Sequence, residues 1–150
     1  MSGCCNLKIE NTKRFLRCKE CGKLGKPVKI TTLEHLLIQE KIASIEDARY
    51  FFCSTPDCNV VYFSENVNFY KADLKVRVGL KEAEDPIPVC YCFNYTKKMI
   101  LDDLIQNEHS TIKERIVKEA KMGNCQCGIK NPEGSCCLAN IAKIIKDFKT

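Results

Sequence analysis

Tryptophan is absent from this 150-residue sequence, and only 8% of its residues are aromatic. A core for such a chain has to come mainly from Ile, Leu and Val, with help from whatever else can cross-link it. Met1–Lys8 (MSGCCNLK) has no basic stretch followed by an apolar one, so it does not read as a secretory signal. No apolar run nears the ~20 residues that span a bilayer, and membrane insertion is not expected. There is no Ser–His–Asp constellation, no Gly-rich phosphate loop and no carboxylate pair set for acid–base work, so the expected role is not that of an enzyme. Internal repeats and low-complexity segments are missing too. With 45% hydrophobic and 29% charged residues, the composition is that of a globular chain.

What the chain has in excess is cysteine, 12 in 150 residues. Without an export signal the expected compartment is the reducing cytoplasm, where grouped cysteines are metal ligands more often than disulfides. The formal charge of +5 invites a nucleic-acid reading, but it counts every thiol as neutral. Each four-thiolate metal site, once filled, would add about −2, so two such sites leave the chain near neutrality. No nucleic-acid partner is expected.

The cysteines are grouped: Cys4 and Cys5; Cys18 and Cys21; Cys53 and Cys58; Cys90 and Cys92; Cys125, Cys127, Cys136 and Cys137. The acidic, proline-bearing stretch Glu82–Pro88 (EAEDPIP) reads as a linker, which places a boundary near Asp85 and divides the chain into lobes 1–85 and 86–150. The expected class is α+β, a small α/β lobe followed by a mostly helical one. In the first lobe, Pro27–Ile30 reads as extended and Thr32 as the cap of a helix from Leu33 to about Ile42. Tyr50–Cys53, Asn59–Phe63, Val67–Tyr70 and Leu74–Val78 read as strands. In the second, Thr96 caps a helix through Asn107, Ser110 or Thr111 starts another that Gly123 stops, and a last helix begins at Cys136 or Cys137.

Cys18-x-x-Cys21 and Cys53-x₄-Cys58 are short-spaced pairs separated by 31 residues. A turn of two to four residues lets both sulfurs face one ion, and Gly22 permits the tight turn after the second thiol. Two such pairs make a tetrahedral S₄ site, which suits structural Zn²⁺. Cys90-Tyr91-Cys92 is the second constellation. An extended C-x-C puts both side chains on one face, so both can bind one iron. The other half comes from Cys127 and the Cys136/Cys137 pair, flanking the loop Gly128–Ser135, whose Asn131-Pro132-Glu133-Gly134 is a turn signal. Helix starts just after these ligands would stabilise an anionic centre.

Four stretches then resemble a known family: Phe51–Phe63 (FFCSTPDCNVVYF), Leu74–Glu82 (LKVRVGLKE), Pro88–Cys92 (PVCYC) and Asn131–Cys137 (NPEGSCC). They look like the N-terminal domain of the long CopZ copper chaperones. The C-terminal part resembles the bacterioferritin-associated ferredoxin (Bfd-like) [2Fe–2S] domain, with its C-x-C, two helices and two further cysteines before a final helix. The resemblance implies one zinc and one [2Fe–2S] cluster, the latter on Cys90, Cys92, Cys127 and one of Cys136 or Cys137. Cys137 is favoured because it sets Leu138 and Ile141 on the buried side of the last helix. It also implies one-electron transfer linked to copper reduction or trafficking. The M-x-C-x-x-C copper domain of the long CopZ proteins does not occur in the sequence through Thr150, which leaves copper delivery by this chain alone open. Three readings are admitted: one domain of a longer protein, a stand-alone relative, or a subunit whose copper-binding protein or electron-transfer partner is a separate chain. The alternatives are a metal-stabilised interaction module and a zinc-only regulator.

Other features read more plainly. Cys4-Cys5 suits soft Cu(I) or has no role, and Cys125 is surplus to the eight ligands. His35 and His109 read as ordinary surface or core residues. Lys75, Arg77 and Lys81 read as a solvated strand face, and Asp102-Asp103 as a charged helix face.

Overall fold

The computed structural model describes residues 15–149, so Cys4 and Cys5 lie outside the described residues. Its first part is a four-stranded antiparallel sheet in the order β1 (Lys26–Val28), β2 (Tyr50–Phe52), β3 (Val60–Phe63), β4 (Asn68–Tyr70). Phe51 stands opposite Phe63 and Phe52 opposite Tyr62, so the two central strands pair aromatic residues across the ladder. Every residue of β2 and β3 is buried, because both faces of the sheet are covered. On one face Tyr50, Phe52, Tyr62 and Phe69 pack with Leu33 and Leu37. On the other, Phe51 and Phe63 pack with Val60, Cys18, Cys53 and Cys58. Thiols there take the place of a second apolar layer.

The expected helix from Leu33 to Ile42 forms as two. Helix α1 spans Ile30–Leu36 and a single turn, α2, spans Gln39–Ile42. Leu37 is extended between them and bridges Leu74, with the Ile38 amide on the Asp73 carbonyl (2.8 Å) and the Lys75 amide on the Leu36 carbonyl (2.8 Å). Tertiary backbone pairing has overridden local helix propensity. The same contacts account for the expected strand Leu74–Val78, of which only Leu74 pairs before a 3₁₀ turn at Gly79–Lys81. Thr32 is not a cap: Lys29 precedes α1, and Thr32 sits buried inside it.

The second part opens with a hairpin, β5 (Pro88–Cys90) and β6 (Tyr95–Thr96). Then come α3 (Lys97–Asn107), α4 (Thr111–Lys121), the short α5 (Cys127–Lys130) and α6 (Leu138–Lys149). Thr96 and Ser110 cap α3 and α4 as expected, accepting from the amides of Met99 (3.3 Å) and Lys113 (2.9 Å). Gly123, at φ +78°, follows the end of α4. The turn α5 stands where a loop was expected. Ile100, Leu104, Ile112, Ile116 and Ile141 form the core, and Cys90, Cys127 and Cys137 are part of it. Asp103 is buried rather than on a solvated face. Its carboxylate accepts from the Ile112 amide (3.0 Å) and the Thr111 hydroxyl, tying α3 to the start of α4; these donors hold it below the usual carboxylate range although burial opposes them.

The two cores abut along α1 and the 128–135 segment. The Thr32 hydroxyl donates to the Gly128 carbonyl (2.5 Å), and the buried Tyr62 hydroxyl to the Pro132 carbonyl (2.5 Å). Replacing Tyr62 by Phe leaves that carbonyl without its donor, which should destabilise the chain by about 1–3 kcal/mol. Urea unfolding of the variant checks this, and an unchanged midpoint would contradict it.

Candidate metal centres

The first centre forms where a knuckle meets the open ends of β2 and β3. The Cys18 amide bonds the Lys23 carbonyl (2.9 Å) and the Gly22 amide the Cys18 carbonyl (2.8 Å), closing the turn with Gly22 at φ +77°. Gly25 lets the knuckle settle onto the sheet: a Cβ there would lie 2.5 Å from the Phe63 ring and 2.6 Å from the Phe51 Cβ. Across the gap, the loop from Cys53 to Cys58 is closed by the Cys58 amide on the Thr55 carbonyl (3.2 Å).

These loops bring four sulfurs together from two distant segments. Sγ of Cys18 and Cys58 are 3.9 Å apart, Sγ of Cys21 and Cys53 are 3.5 Å apart, and all four lie within 4.8 Å of one another. A tetrahedron with metal–sulfur bonds of about 2.3 Å has edges of about 3.8 Å, so the donor set fits such an ion. Cys18, Cys53 and Cys58 are buried and Cys21 is exposed. Burial pushes the Cys58 thiol up to about 12. Burial also opposes ionisation of Cys21, but hydrogen bonds from the Thr55 hydroxyl, the Lys23 backbone and neighbouring thiols bring it down to about 6. An incoming cation has to displace the protons that burial favours on Cys18 and Cys58.

Lys81, which reads in the sequence as part of a solvated strand face, is only 5% exposed. Its ammonium donates to the carbonyls of Thr55 (2.7 Å) and Cys58 (3.0 Å), bracing the ligand loop. The 3₁₀ turn that directs it inward leaves Lys75 and Arg77 exposed, and nothing in the alternation of Lys75–Lys81 foretold the change.

The second centre lies in the helical core. Strand β5 ends at Cys90, and residues 91–94 turn back into β6, so the C-x-C is not extended throughout. Its sulfurs consequently meet different partners. Cys92 Sγ lies 3.5 Å from Cys127 Sγ, whereas Cys90 and Cys137, both buried in the same core, do not join them in one group of sulfurs within 4.8 Å. Of the adjacent pair, Cys137 is fully buried whereas Cys136 is exposed, because α6 begins at Leu138 with Ile141 facing the core. The Gln126 amide donates to Cys92 Sγ at 3.0 Å, and hydrogen bonding from the backbone of Cys92, Phe93 and Tyr95 lowers the Cys90 thiol. The Cys137 hydrogen bond leads these donors in bringing Cys90 down to about 6 against the effect of burial. Burial pushes Cys127 up to about 12. Buried thiols with N–H donors suit a cluster ligated by cysteinate, whose sulfurs take such bonds.

Two residues here escaped the sequence reading. Cys125 is no bystander: its sulfur lies within 4.8 Å of those of Cys92 and Cys127. Tyr91, between the two ligand candidates, accepts from the Gly79 amide (2.9 Å) and donates to the Arg77 carbonyl (2.7 Å). The C-x-C spacing gave a signal for the cysteines only. His35 and His109 are exposed and belong to neither sulfur group. Among the described residues no helix is long and apolar enough to cross a membrane.

Comparison with known proteins bears on the fold and on the first centre. A CopZ family model described as a zinc binding domain matches residues 16–75, the stretch that holds all four sulfurs of the first centre. The copper chaperone CopZ of Archaeoglobus fulgidus is 39% identical over 132 residues, which are 87% of this chain and 62% of that protein, so the chain spans less than two thirds of its relative's length. The X-ray structure of the N-terminal domain of A. fulgidus CopZ matches with a TM-score of 0.73 at 36% identity, over 86% of this chain and 97% of that one. With the mixed α/β fold shared nearly end to end and the knuckle cysteines inside the matched family model, this chain belongs to the family of the CopZ N-terminal domain.

Proposed function

We propose that the chain is a two-lobed metal-handling protein, divided near Asp85, with a structural Zn²⁺ on Cys18, Cys21, Cys53 and Cys58. A [2Fe–2S] cluster on Cys90, Cys92, Cys127 and Cys137, in a Bfd-like lobe, would make it a one-electron carrier in copper handling. The observation that carries this reading is the convergence of buried thiols and backbone N–H donors in the second core. Four sulfurs close the first site and leave no position for water, so hydrolytic chemistry is not expected there. At the second, the cluster supplies a single-electron couple between Fe³⁺Fe³⁺ and Fe³⁺Fe²⁺. Cys90, Cys92, Cys127 and Cys137 provide thiolates, the 92, 93, 95 and 126 amides hold negative charge on sulfur, and the aliphatic core limits water. The relative's name supports copper as the object of that electron, Cu(II) accepting it to become the Cu(I) that thiolates carry. A copper-binding protein or electron-transfer partner would then dock on the same lobe.

Anaerobically purified protein should be red-brown, bleach with dithionite, and contain about two iron and one zinc per chain. Cys90→Ala should lose the iron while keeping the zinc. A colourless chain that stays iron-free after anaerobic reconstitution and holds two zinc ions would overturn the redox reading in favour of a zinc-only protein. For the first centre, Lys81→Met should weaken zinc binding by about 10–100-fold, as loss of an outer-shell partner does, and Lys81→Arg less. Competition against a chromophoric chelator measures this, and an affinity unaltered in Lys81→Met would remove Lys81 from the site. Because protons compete for the sulfurs, zinc affinity should fall as pH drops, and more steeply below about 6, where Cys21 also takes up a proton; a chelator competition across this range reads the change of slope.

A further inference from the structure

A [2Fe–2S] cluster takes four protein ligands, yet five cysteines belong to the second core or pack against it, Cys90, Cys92, Cys125, Cys127 and Cys137, and of these Cys92, Cys125 and Cys127 bring their sulfurs within 4.8 Å of one another. The surplus thiol is not randomly placed. Sγ of Cys125 lies within 4.8 Å of Sγ of both Cys92 and Cys127, and Cys92 and Cys127 are themselves 3.5 Å apart. Three sulfurs at these separations can face one metal atom. The Gln126 amide, between Cys125 and Cys127, donates to Cys92 Sγ at 3.0 Å, so the short segment 125–127 is pinned against that sulfur. Cys125 precedes the first turn of α5 and Cys127 begins it, so exchanging one for the other needs only a local adjustment at the helix start.

We propose that Cys125 is an alternative ligand to Cys127 for the iron that Cys92 holds. This rests on the cluster reading given above and deepens it. The exchange is a ligand substitution without redox change: the Cys125 thiol loses its proton as its sulfur bonds iron, and the departing Cys127 sulfur takes a proton up. The two forms differ in environment. Cys127 is buried and Cys125 is half-exposed, so the Cys125 form brings the cluster edge toward solvent, where hydration and access tune its potential. Cys136, exposed and next to the buried Cys137, has no equivalent place among the grouped sulfurs.

The test is anaerobic reconstitution of the full chain with iron and sulfide, comparing wild type, Cys125→Ala, Cys127→Ala and the double variant. Iron per chain, zinc per chain and the visible circular dichroism spectrum are read together. Alanine is used because a serine oxygen could itself bind iron. Cys125→Ala should retain the wild-type iron content, Cys127→Ala should retain a cluster with reduced iron content and an altered dichroism spectrum, and the double variant should lose it. One zinc per chain in every variant verifies that the fold has survived. Cys127→Ala losing iron as completely as the double variant, with its zinc intact, would overturn the proposal and leave the cluster reading standing. Wild type failing to take up iron would overturn both.

Discussion

The structure depends on holding sulfur atoms from distant segments close to one another in an apolar interior. Cys21 and Cys53 are 32 positions apart in sequence and 3.5 Å apart in space, and Cys92 and Cys127 are 35 positions and again 3.5 Å apart. Thiols tolerate such burial, but four thiolates do not without a cation, because isolated charge in a low-dielectric core is heavily penalised. The raised values of Cys58 and Cys127 express that penalty, and the depressed values of Cys21 and Cys90 mark where hydrogen bonds overcome it. With the proposed metals bound, folding and metal loading become two aspects of one equilibrium.

The centres are also joined through backbone and side chain. Tyr91 rises from the C-x-C turn to the Gly79 amide, the 3₁₀ turn at Gly79–Lys81 continues from there, and Lys81 ends on the carbonyls of Thr55 and Cys58. A contiguous set of contacts therefore runs from one ligand loop to the other. The Tyr62 and Thr32 hydroxyls add a second seam between the cores on the far side of the sheet. In a chain without tryptophan, these polar seams and the sulfur sites share the task of fixing one core against the other.

The sequence made the chemistry more legible than the geometry. Pairs such as Cys18/Cys21 announce themselves by spacing, since short turns fix which sulfurs face one ion, and the caps at Thr96 and Ser110 obey local rules. What stayed hidden was set by tertiary contacts. Leu37 leaves the helical pattern because its neighbours pair with the backbone around Leu74, and that pairing dissolves the strand expected after it. Lys81 follows the alternation of an exposed face yet is drawn inward by carbonyls contributed from residues 23 and 26 positions earlier. Asp103 disguises a buried cap as half of an acidic pair. Cys125 shares with Cys127 the same C-x-C spacing as Cys90 and Cys92, a signal passed over in favour of the Cys136/Cys137 pair, and the folding of 125–127 against Cys92 reveals its place.

X-ray absorption at the zinc and iron edges of the same anaerobic sample tests the central claim most directly, because it reads the atoms around each metal. The account requires four sulfurs at about 2.3 Å around zinc, and iron in an all-sulfur shell with a second iron as close neighbour. Nitrogen or oxygen in the zinc shell, or iron present only as isolated mononuclear sites, would contradict it.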